Sequence, residues 1–219
     1  MPSSTVENYL KTIFHLSDKV ENVELVAIGN IARELELTPG TVTSMMKHLE
    51  QEGYVDYVPR KGVKLTARGL GAALQVLRRH RLIELFLVEV MKLDWAHVHD
   101  EAEVLEHVLS DRMVERIDEM LGHPTCDPHG DPIPSADGVV SEEQSKPLCE
   151  CVAGDYKLVR ITRDEPAFLE WLQQCGLRPG AKLQLIQHDK VAGILNVKVQ
   201  GSDQVFQISE AVAASLRIQ

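Results

Sequence analysis

The sequence has few aromatic residues, few cysteines and no long apolar run. Aromatic side chains make up 5% of its 219 residues, and four cysteines are too few for a disulfide scaffold of this length. Its apolar runs are shorter than the roughly 18 residues that a membrane-spanning helix needs, so we expect no membrane association. Its first residues lack the basic and apolar segments of a signal peptide, which predicts a cytoplasmic protein with reduced thiols.

The net charge of −10 at pH 7 hides two blocks of opposite sign. Residues 38–81 contain eight Lys or Arg and three Asp or Glu, which gives +5. Residues 82–150 contain four Lys or Arg and seventeen Asp or Glu, which gives −13. The basic block suits contact with nucleic-acid phosphates, whereas the acidic block is either a solvated surface or a source of oxygen ligands for a cation.

Three amphipathic helices are predicted at the start of the chain. Apolar residues recur at helical spacing over residues 5–17 and 26–36, and again between Thr38 and Gly53. Thr38 can cap the third helix, Pro39 suits its first position, and Gly53 suits its end. Two short helices joined by a tight turn are typical of a helix-turn-helix.

The next segment, YVDYVPRKGVKLT at 54–66, predicts a β-hairpin with two cations at its turn. A helix-turn-helix followed by such a hairpin is a winged helix, and the local charge of +5 predicts binding to double-stranded DNA. A protein-interaction module of the same fold is the alternative. The candidate DNA contacts are Thr38, Pro39, Thr41, Thr43, Ser44, Lys47, Arg60 and Lys61.

The middle of the chain predicts two long helices, over residues 66–92 and 94–121, with more apolar side chains than one buried face needs. We therefore expect a homodimer with a shared helical interface. The Pro-, Gly- and Asp-rich segment from residue 123 predicts a loop or linker. Four β-rich runs and one helix near residues 165–175 then predict a small antiparallel barrel. The expected fold is mainly α-helical with a β-rich C-terminal domain.

Both long helices carry histidine and carboxylate residues at helical spacing. His80 and Glu84 are four residues apart on the first. The stripe on the second, at positions i, i+4, i+7 and i+8, consists of His99, Glu103, Glu106 and His107. Burying such a set beside an apolar face is costly unless a divalent cation compensates its charge. A solvated helix face is the alternative, but two neighbouring His-x3-Glu pairs favour a metal site.

The ligand types limit the choice of ion. Imidazole and carboxylate donors without thiolate suit Mn²⁺ or Fe²⁺ better than a structural Zn²⁺, although Zn²⁺ or Co²⁺ could bind in vitro. A zinc site built from Cys126, His129, Cys149 and Cys151 is a less favoured alternative, because the spacing of these residues is irregular. We expect Cys175 in the core.

Five stretches together resemble the diphtheria-toxin-repressor family of iron- and manganese-dependent regulators, in its three-domain form. They are ENYLKTI at 7–13, TPGTVT at 38–43, RHRLIELFL at 79–87, VHDEAEVLEHVLSD at 98–111 and PHGDPIP at 128–134. The resemblance implies a metal-activated repressor of metal-uptake genes. The domains it implies are a winged helix at 1–75, a helical metal-binding and dimerisation domain at 76–122, a linker at 123–150 and an SH3-like domain at 151–219.

The resemblance also implies two metal sites. The activating site would use Asn8, Glu103, Glu106 and His107. The ancillary site would use His80, Glu84, His99 and a residue of the C-terminal domain, either Glu165 or its neighbour Asp164.

Two of these positions bear on the ion. Glu103 stands where iron-responsive members commonly have Cys, which favours Mn²⁺, whereas the neutral oxygen of Asn8 does not decide between the ions. Lys11 stands where two-domain manganese regulators have a second carboxylate, which argues against a bridged binuclear cluster.

Two other functions are alternatives. His99-Asp100 could be the doublet of a metal-dependent phosphohydrolase, with His80 upstream and Asp111 or Asp118 downstream, but such an enzyme needs no winged helix. A winged-helix regulator that senses an organic ligand would leave the His/Glu stripe as solvated surface. We therefore expect a transcriptional repressor and not an enzyme.

Overall fold

The structure, a computed structural model, describes residues 2–18, 25–141 and 144–219. Parts of the predicted winged-helix domain (residues 1 and 19–24) and of the predicted linker (residues 142–143) lie outside the described residues. The chain divides into two compact units, the first of residues 1–79 and 134–139, the second of residues 80–133 and 140–219. The two units are defined by contacts between residues and do not test the four domains predicted from the sequence, which stay a prediction.

The first unit has the winged-helix architecture that the sequence predicts. Its elements in chain order are α1 (Ser4–Asp18), α2 (Ile28–Glu34), α3 (Pro39–Gln51), β1 (Val55–Val58), β2 (Gly62–Leu65) and the first half of α4 (Ala67–Glu89). The two strands pair antiparallel. Its core is aliphatic, and the fully buried side chains include Leu10, Ile13, Ile31, Met46 and Leu49.

Local sequence explains where α3 begins and ends. Thr38 has an extended backbone, and its hydroxyl accepts a hydrogen bond from the Thr41 N–H at 3.2 Å, so it caps the helix as predicted. Pro39 occupies the first turn, where its missing N–H has no partner to lose. Gly53 follows the helix with φ +74°, the left-handed conformation that favours glycine after a helix end.

The helical part of the second unit corrects one prediction from the sequence. Residues 94–121 do not form one helix but two, α5 (Val98–Leu105) and α6 (Asp111–Met120). The Ser110 hydroxyl accepts a hydrogen bond from the Met113 N–H at 3.4 Å and caps a new helix. At the start, Trp95 is 2% exposed and packs into the core of the C-terminal sheet, so the chain reaches that core before α5 begins.

The C-terminal part of the second unit is a six-stranded antiparallel sheet in the order β3-β8-β4-β5-β6-β7. Its elements are β3 (Lys146–Pro147), β4 (Gly154–Ile161), α7 (Pro166–Gln174), β5 (Lys182–Asp189), β6 (Ile194–Val199), β7 (Val205–Ser209), α8 (Glu210–Ala214) and β8 (Leu216–Ile218). Alternate residues of β5 and β6 are buried, as expected for strands with one face on a core. The four longer strands and α7 confirm the sequence prediction, whereas β3 and β8 are too short to show a pattern.

Trp95 joins the sheet to the helical part of the same unit. Its indole N–H donates a hydrogen bond to Gln173 Oε1 at 2.6 Å, and the Arg178 guanidinium lies 4.9 Å from its ring centroid. The His129 ring stacks on the Trp95 ring at a centroid distance of 5.4 Å. The sheet and the helices that carry the candidate ligands therefore pack together around one aromatic side chain.

Among the described residues, no helix is long and apolar enough to cross a membrane.

Two glycines of α4 allow a matched test of the winged-helix packing. A Cβ added at Gly69 would lie 1.9 Å from the Tyr54 carbonyl oxygen, which accepts hydrogen bonds from Thr66, whereas a Cβ at Gly71 meets nothing within 4 Å. We expect Gly69→Ala to lower the free energy of unfolding by about 1–3 kcal/mol because the helix must shift. Urea denaturation measures the change.

The control is Gly71→Ala in the same helix. It should raise the free energy of unfolding by about 0.5–1 kcal/mol, since alanine favours an open helical position over glycine. Equal effects of the two substitutions would contradict the close approach of α4 to Tyr54.

Candidate metal centre and DNA-binding surface

The predicted histidine and glutamate ligands meet around His80. His80 and Glu84 lie one turn apart on α4 and are 5% and 3% exposed. The His80 Nε2 atom lies 3.0 Å from Glu84 Oε1 and 3.2 Å from His99 Nδ1. Its Nδ1 atom lies 2.6 Å from Glu106 Oε2. One imidazole therefore contacts residues that the family resemblance divides between two sites.

Glu103, Glu106 and His107 form one group of potential ligands, with donor atoms within 4.8 Å of one another. Glu103 is on α5, Glu106 caps that helix, and His107 follows in the turn before α6. Glu106 is fully buried, and its Oε1 atom lies 3.4 Å from His107 Nε2. A second group, whose donor atoms also lie within 4.8 Å of one another, consists of His80, His99 and Glu103. Glu103 belongs to both groups, so the predicted ligands between His80 and His107 form one connected cluster, which does not include Asn8 or Glu165.

A third group joins Glu84 to Asp127 and His129, a combination of ligands that the sequence did not predict. Donor atoms of Glu84, Asp127 and His129 also lie within 4.8 Å of one another, and all three residues are buried. Asp127 and His129 belong to the loop after α6, a segment predicted as a linker. The PHGDPIP motif, which contains His129 beside several turn residues, was the signal that could have indicated a folded loop here.

The cysteines do not take part in these groups. Among the described residues, no cluster of three or more potential ligands includes a cysteine. Cys126 is exposed, whereas Cys151 and Cys175 are buried, as expected for Cys175. The structure therefore groups His129 with Glu84 and Asp127, and the cysteine-containing zinc site stays a less favoured alternative.

Burial and charge act against each other in the cluster. Burial alone would raise the pKa of Glu84, but the charge of His80 and the hydrogen bonds from His80 and His99 outweigh it and lower that pKa. The same hydrogen bond to Glu84 raises the pKa of His99. The pKa of Asp127 is raised by burial and by the neighbouring carboxylates of Asp131 and Glu84. Buried carboxyl groups and imidazoles in this cluster therefore shift one another's pKa values in opposite directions.

The donor set fits a divalent cation. Buried carboxylate oxygens and imidazole nitrogens, without thiolate, are ligands that suit Mn²⁺ and Fe²⁺. In the first unit, the Asn8 Oδ1 atom is buried and has no hydrogen-bond partner among the described residues. Buried polar atoms are nearly always paired, so an unpaired amide oxygen fits the ligand role that the family resemblance implies for Asn8.

Glu165 lies in a different setting. Its side chain is 58% exposed, and its two carboxylate oxygens accept hydrogen bonds from Arg163 at 3.1 and 3.2 Å. The three ligand groups found among the described residues do not include it. Its role in the ancillary site stays a prediction.

The predicted DNA contacts lie on the surface of α3 and of the hairpin. Most are exposed, and Thr43 is half-buried. The hydroxyls of Thr43 and Ser44 donate to the backbone carbonyls of Pro39 and Gly40 at 2.7 and 3.1 Å. At the tip of the hairpin, Arg60 has φ +65° and stands beside exposed Lys61. Such a surface suits phosphate contacts more than hydrogen bonding to base edges.

Three family models together match most of the chain. A family model for the iron dependent repressor N-terminal DNA binding domain matches residues 1–63. The corresponding metal binding and dimerisation domain matches residues 66–135, and the FeoA domain matches residues 146–219. A manganese-dependent transcriptional repressor solved in complex with manganese is 34% identical, with a TM-score of 0.85 over 97% of this chain and 98% of that one. The chain belongs to the diphtheria-toxin-repressor family.

Named relatives of this family respond to different metals. The diphtheria toxin repressor of Corynebacterium efficiens is 29% identical over 98% of this chain and 95% of its own length. The iron-dependent repressor IdeR of Mycobacterium leprae is 35% identical over 72% of this chain and 65% of its own length. Membership therefore establishes a metal-dependent transcriptional repressor with a C-terminal FeoA domain, as the sequence predicts, and leaves the metal open.

The raised pKa of His99 predicts a pH dependence of metal binding. An imidazole must lose its proton before its nitrogen can bind an ion, so protons compete with the metal. Because the pKa of His99 lies above its ordinary value, this competition begins at a higher pH than for a free histidine. We expect Mn²⁺ affinity, measured by calorimetry, to fall as the pH is lowered from about 8 to about 6.

The lowered pKa of Glu84 keeps that carboxylate ionised over this range, so it adds nothing to the slope. His97→Ala is the matched control, since His97 lies two residues away and pairs with Glu170 at 3.3 Å. It should leave the pH dependence unchanged, whereas His99→Ala should flatten it. An affinity independent of pH in the unsubstituted protein would contradict imidazole ligation.

Proposed function

We propose that Mn²⁺ switches this repressor to its DNA-binding form. The observation that carries the proposal is the buried contact of His80 with Glu106, next to the likewise buried Glu84. Glu106 and Glu84 are 0% and 3% exposed, which a solvated helix face does not explain. The organic-ligand alternative required such a solvated face, so it loses its support.

Glu103, Glu106 and His107 are the proposed ligands of the activating ion, with Asn8 as a further oxygen donor from α1. A carboxylate at Glu103, where a thiolate would favour softer ions, supports Mn²⁺ over Fe²⁺. When bound, the ion supplies positive charge that compensates the buried carboxylates. The residues of the chain set the number and type of donors.

The ancillary ion would bind near Glu84. The resemblance supplies His80, Glu84 and His99, and the proximity of Asp127 and His129 to Glu84 supports adding both of these to the site. Glu165 would first have to leave Arg163. Because His80 contacts Glu84 and Glu106 at once, binding at one group changes the partners available to the other.

DNA recognition would use α3 and the hairpin. Lys47, Arg60 and Lys61 would contact phosphates, and Thr38, Pro39, Thr41, Thr43 and Ser44 would lie along the groove. Because the hydroxyls of Thr43 and Ser44 already bond to the backbone of α3, few base contacts are expected, and DNA shape would contribute to specificity. Metal-uptake genes are the proposed targets, from family membership alone.

A homodimer would present two such surfaces to DNA. The dimerisation domain of the family covers residues 66–135, and within it large aliphatic side chains are exposed. Those of α5, α6 and the turn between them include Val104, Val108, Met113 and Met120. Covering them with a second copy would remove apolar surface from water and fix the spacing of two recognition helices, about 34 Å for successive half-sites.

We propose no enzymatic activity. Buried His80 contacts both Glu84 and Glu106, and half-buried His99 contacts Glu84, so both imidazoles are engaged by carboxylates. A phosphohydrolase needs an open coordination position facing a substrate. A repressor that meets chromosomal DNA would work in the cytoplasm.

The test is metal-dependent binding to duplex DNA selected by the Mn²⁺-loaded protein from a random-sequence library. We expect Mn²⁺ to raise the affinity by about 5–150-fold, the usual range of allosteric coupling, and more than Fe²⁺ or Zn²⁺ at equal free concentration. Glu106→Gln should abolish this gain, because it removes a buried anionic donor. Fluorescence anisotropy measures the binding.

Glu115→Gln provides the matched control, as an exposed glutamate on α6 with the same change of charge. It should keep the full response to Mn²⁺. Metal-independent DNA binding, or an unchanged response in Glu106→Gln, would contradict the proposed switch.

A further inference from the structure

The loop of residues 124–133 is held in shape by hydrogen bonds within the loop itself. Cys126 and Pro132 form an antiparallel bridge, and the Asp127 N–H donates to the Asp131 carbonyl at 3.0 Å. The Asp127 Oδ1 atom accepts hydrogen bonds from the N–H groups of His129 and Asp131 at 2.8 and 2.9 Å. One carboxylate oxygen of Asp127 is therefore held by the loop itself, and its other oxygen stays available to partners outside.

Strand β4 holds three consecutive residues of this loop. The Ile161 N–H donates to the His129 carbonyl at 2.9 Å. Gly130 packs so closely that a Cβ there would lie 2.0 Å from the Val159 carbonyl oxygen. The Arg160 guanidinium forms an ion pair with Asp131 Oδ1 at 2.5 Å. The C-terminal sheet domain thus holds the backbone at His129 by a hydrogen bond from β4. It contacts the Asp131 side chain through Arg160.

Helix α4 holds the same loop from the other side through Arg81, which is 8% exposed. Its Nε atom lies 3.6 Å from Asp127 Oδ2, its Nη2 atom lies 3.5 Å from Asp131 Oδ1, and its Nη1 group donates to the Pro132 carbonyl. Asp131 Oδ1 therefore lies between two guanidinium groups, one from α4 and one from β4. This carboxylate links the helix that carries Glu84 to the strand of the sheet domain.

We propose that Arg160 is a positioning residue for the ion at Glu84, Asp127 and His129. Its ion pair with Asp131 fastens the loop to the sheet, so that Asp127 and His129 stay beside Glu84. Without it, Asp131 loses its partner on β4 and keeps only the longer contact with Arg81, at 3.5 Å, among its ion pairs with the described residues. The inference rests on the proposed ancillary site. It means that the C-terminal sheet domain affects ion affinity even if it supplies no ligand of its own.

The test compares Arg160→Met with Arg217→Met in the full-length protein. Arg217 on β8 is the cross-strand partner of Arg160, is also half-buried, and donates to Ser145 instead of the loop. Calorimetric titration with Mn²⁺ should show one class of ion weakened by about 10–100-fold in Arg160→Met, the usual effect of removing a residue behind a ligand. Arg217→Met should bind as the unsubstituted protein does, and Arg160→Lys should recover most of the affinity.

A second readout needs no metal. Hydrogen–deuterium exchange of the metal-free protein should be faster at the His129 and Asp131 amides in Arg160→Met and unchanged there in Arg217→Met. If Arg160→Met is too unstable to titrate, Asp131→Asn removes the same ion pair from the loop side and should weaken the same class of ion.

His129→Ala separates the two proposals. If it removes one class of Mn²⁺ while Arg160→Met and Asp131→Asn bind normally, the ancillary site stands and the role of Arg160 is wrong. If His129→Ala leaves the number and affinity of bound ions unchanged, the proposed ancillary site is wrong and this inference falls with it.

Discussion

Glu84 and Glu106 lie almost without solvent on two sides of one imidazole, that of His80. A buried carboxylate is stable only if hydrogen bonds or positive charge replace the water that it has lost. Here the imidazoles supply part of that replacement, and the pKa of Glu84 is lowered as a result. The carboxylate oxygens and imidazole nitrogens gathered here are donors that a divalent cation can bind, which makes this region of the helical part suited to a cation.

The surrounding elements each hold one part of the cluster. Helix α4 provides His80 and Glu84, and the end of α5 provides Glu106. The loop of residues 124–133 brings Asp127 and His129 to Glu84. Trp95 packs into the core of the C-terminal sheet and stacks on His129, so the FeoA domain is part of the packing around the candidate ligands. A domain that the family resemblance suggests as a source of one ligand thus also shapes the site through its contacts with the loop.

Helical periodicity in the sequence was enough to predict the winged helix, the long α4 and the ligand pairs within single helices, because neighbours at i and i+4 share a face whatever the rest of the fold does. It could not predict the break between α5 and α6, where the Ser110 cap and the burial of Trp95 override a continuous apolar pattern. Nor could it predict that Asp127 lies beside Glu84, since helical spacing relates only residues that are close in the sequence. That contact depends on Gly130 and on the ion pairs of Asp131.

The central claim is that an ion in this cluster and DNA on the winged helix stabilise the same state of the protein. Thermodynamic linkage then requires each to tighten the binding of the other by the same factor. The most direct measurement is the Mn²⁺ dissociation constant of the protein with and without saturating selected duplex DNA. The account predicts tighter Mn²⁺ binding with DNA, by the factor by which Mn²⁺ tightens DNA binding. An Mn²⁺ affinity that DNA leaves unchanged would contradict it.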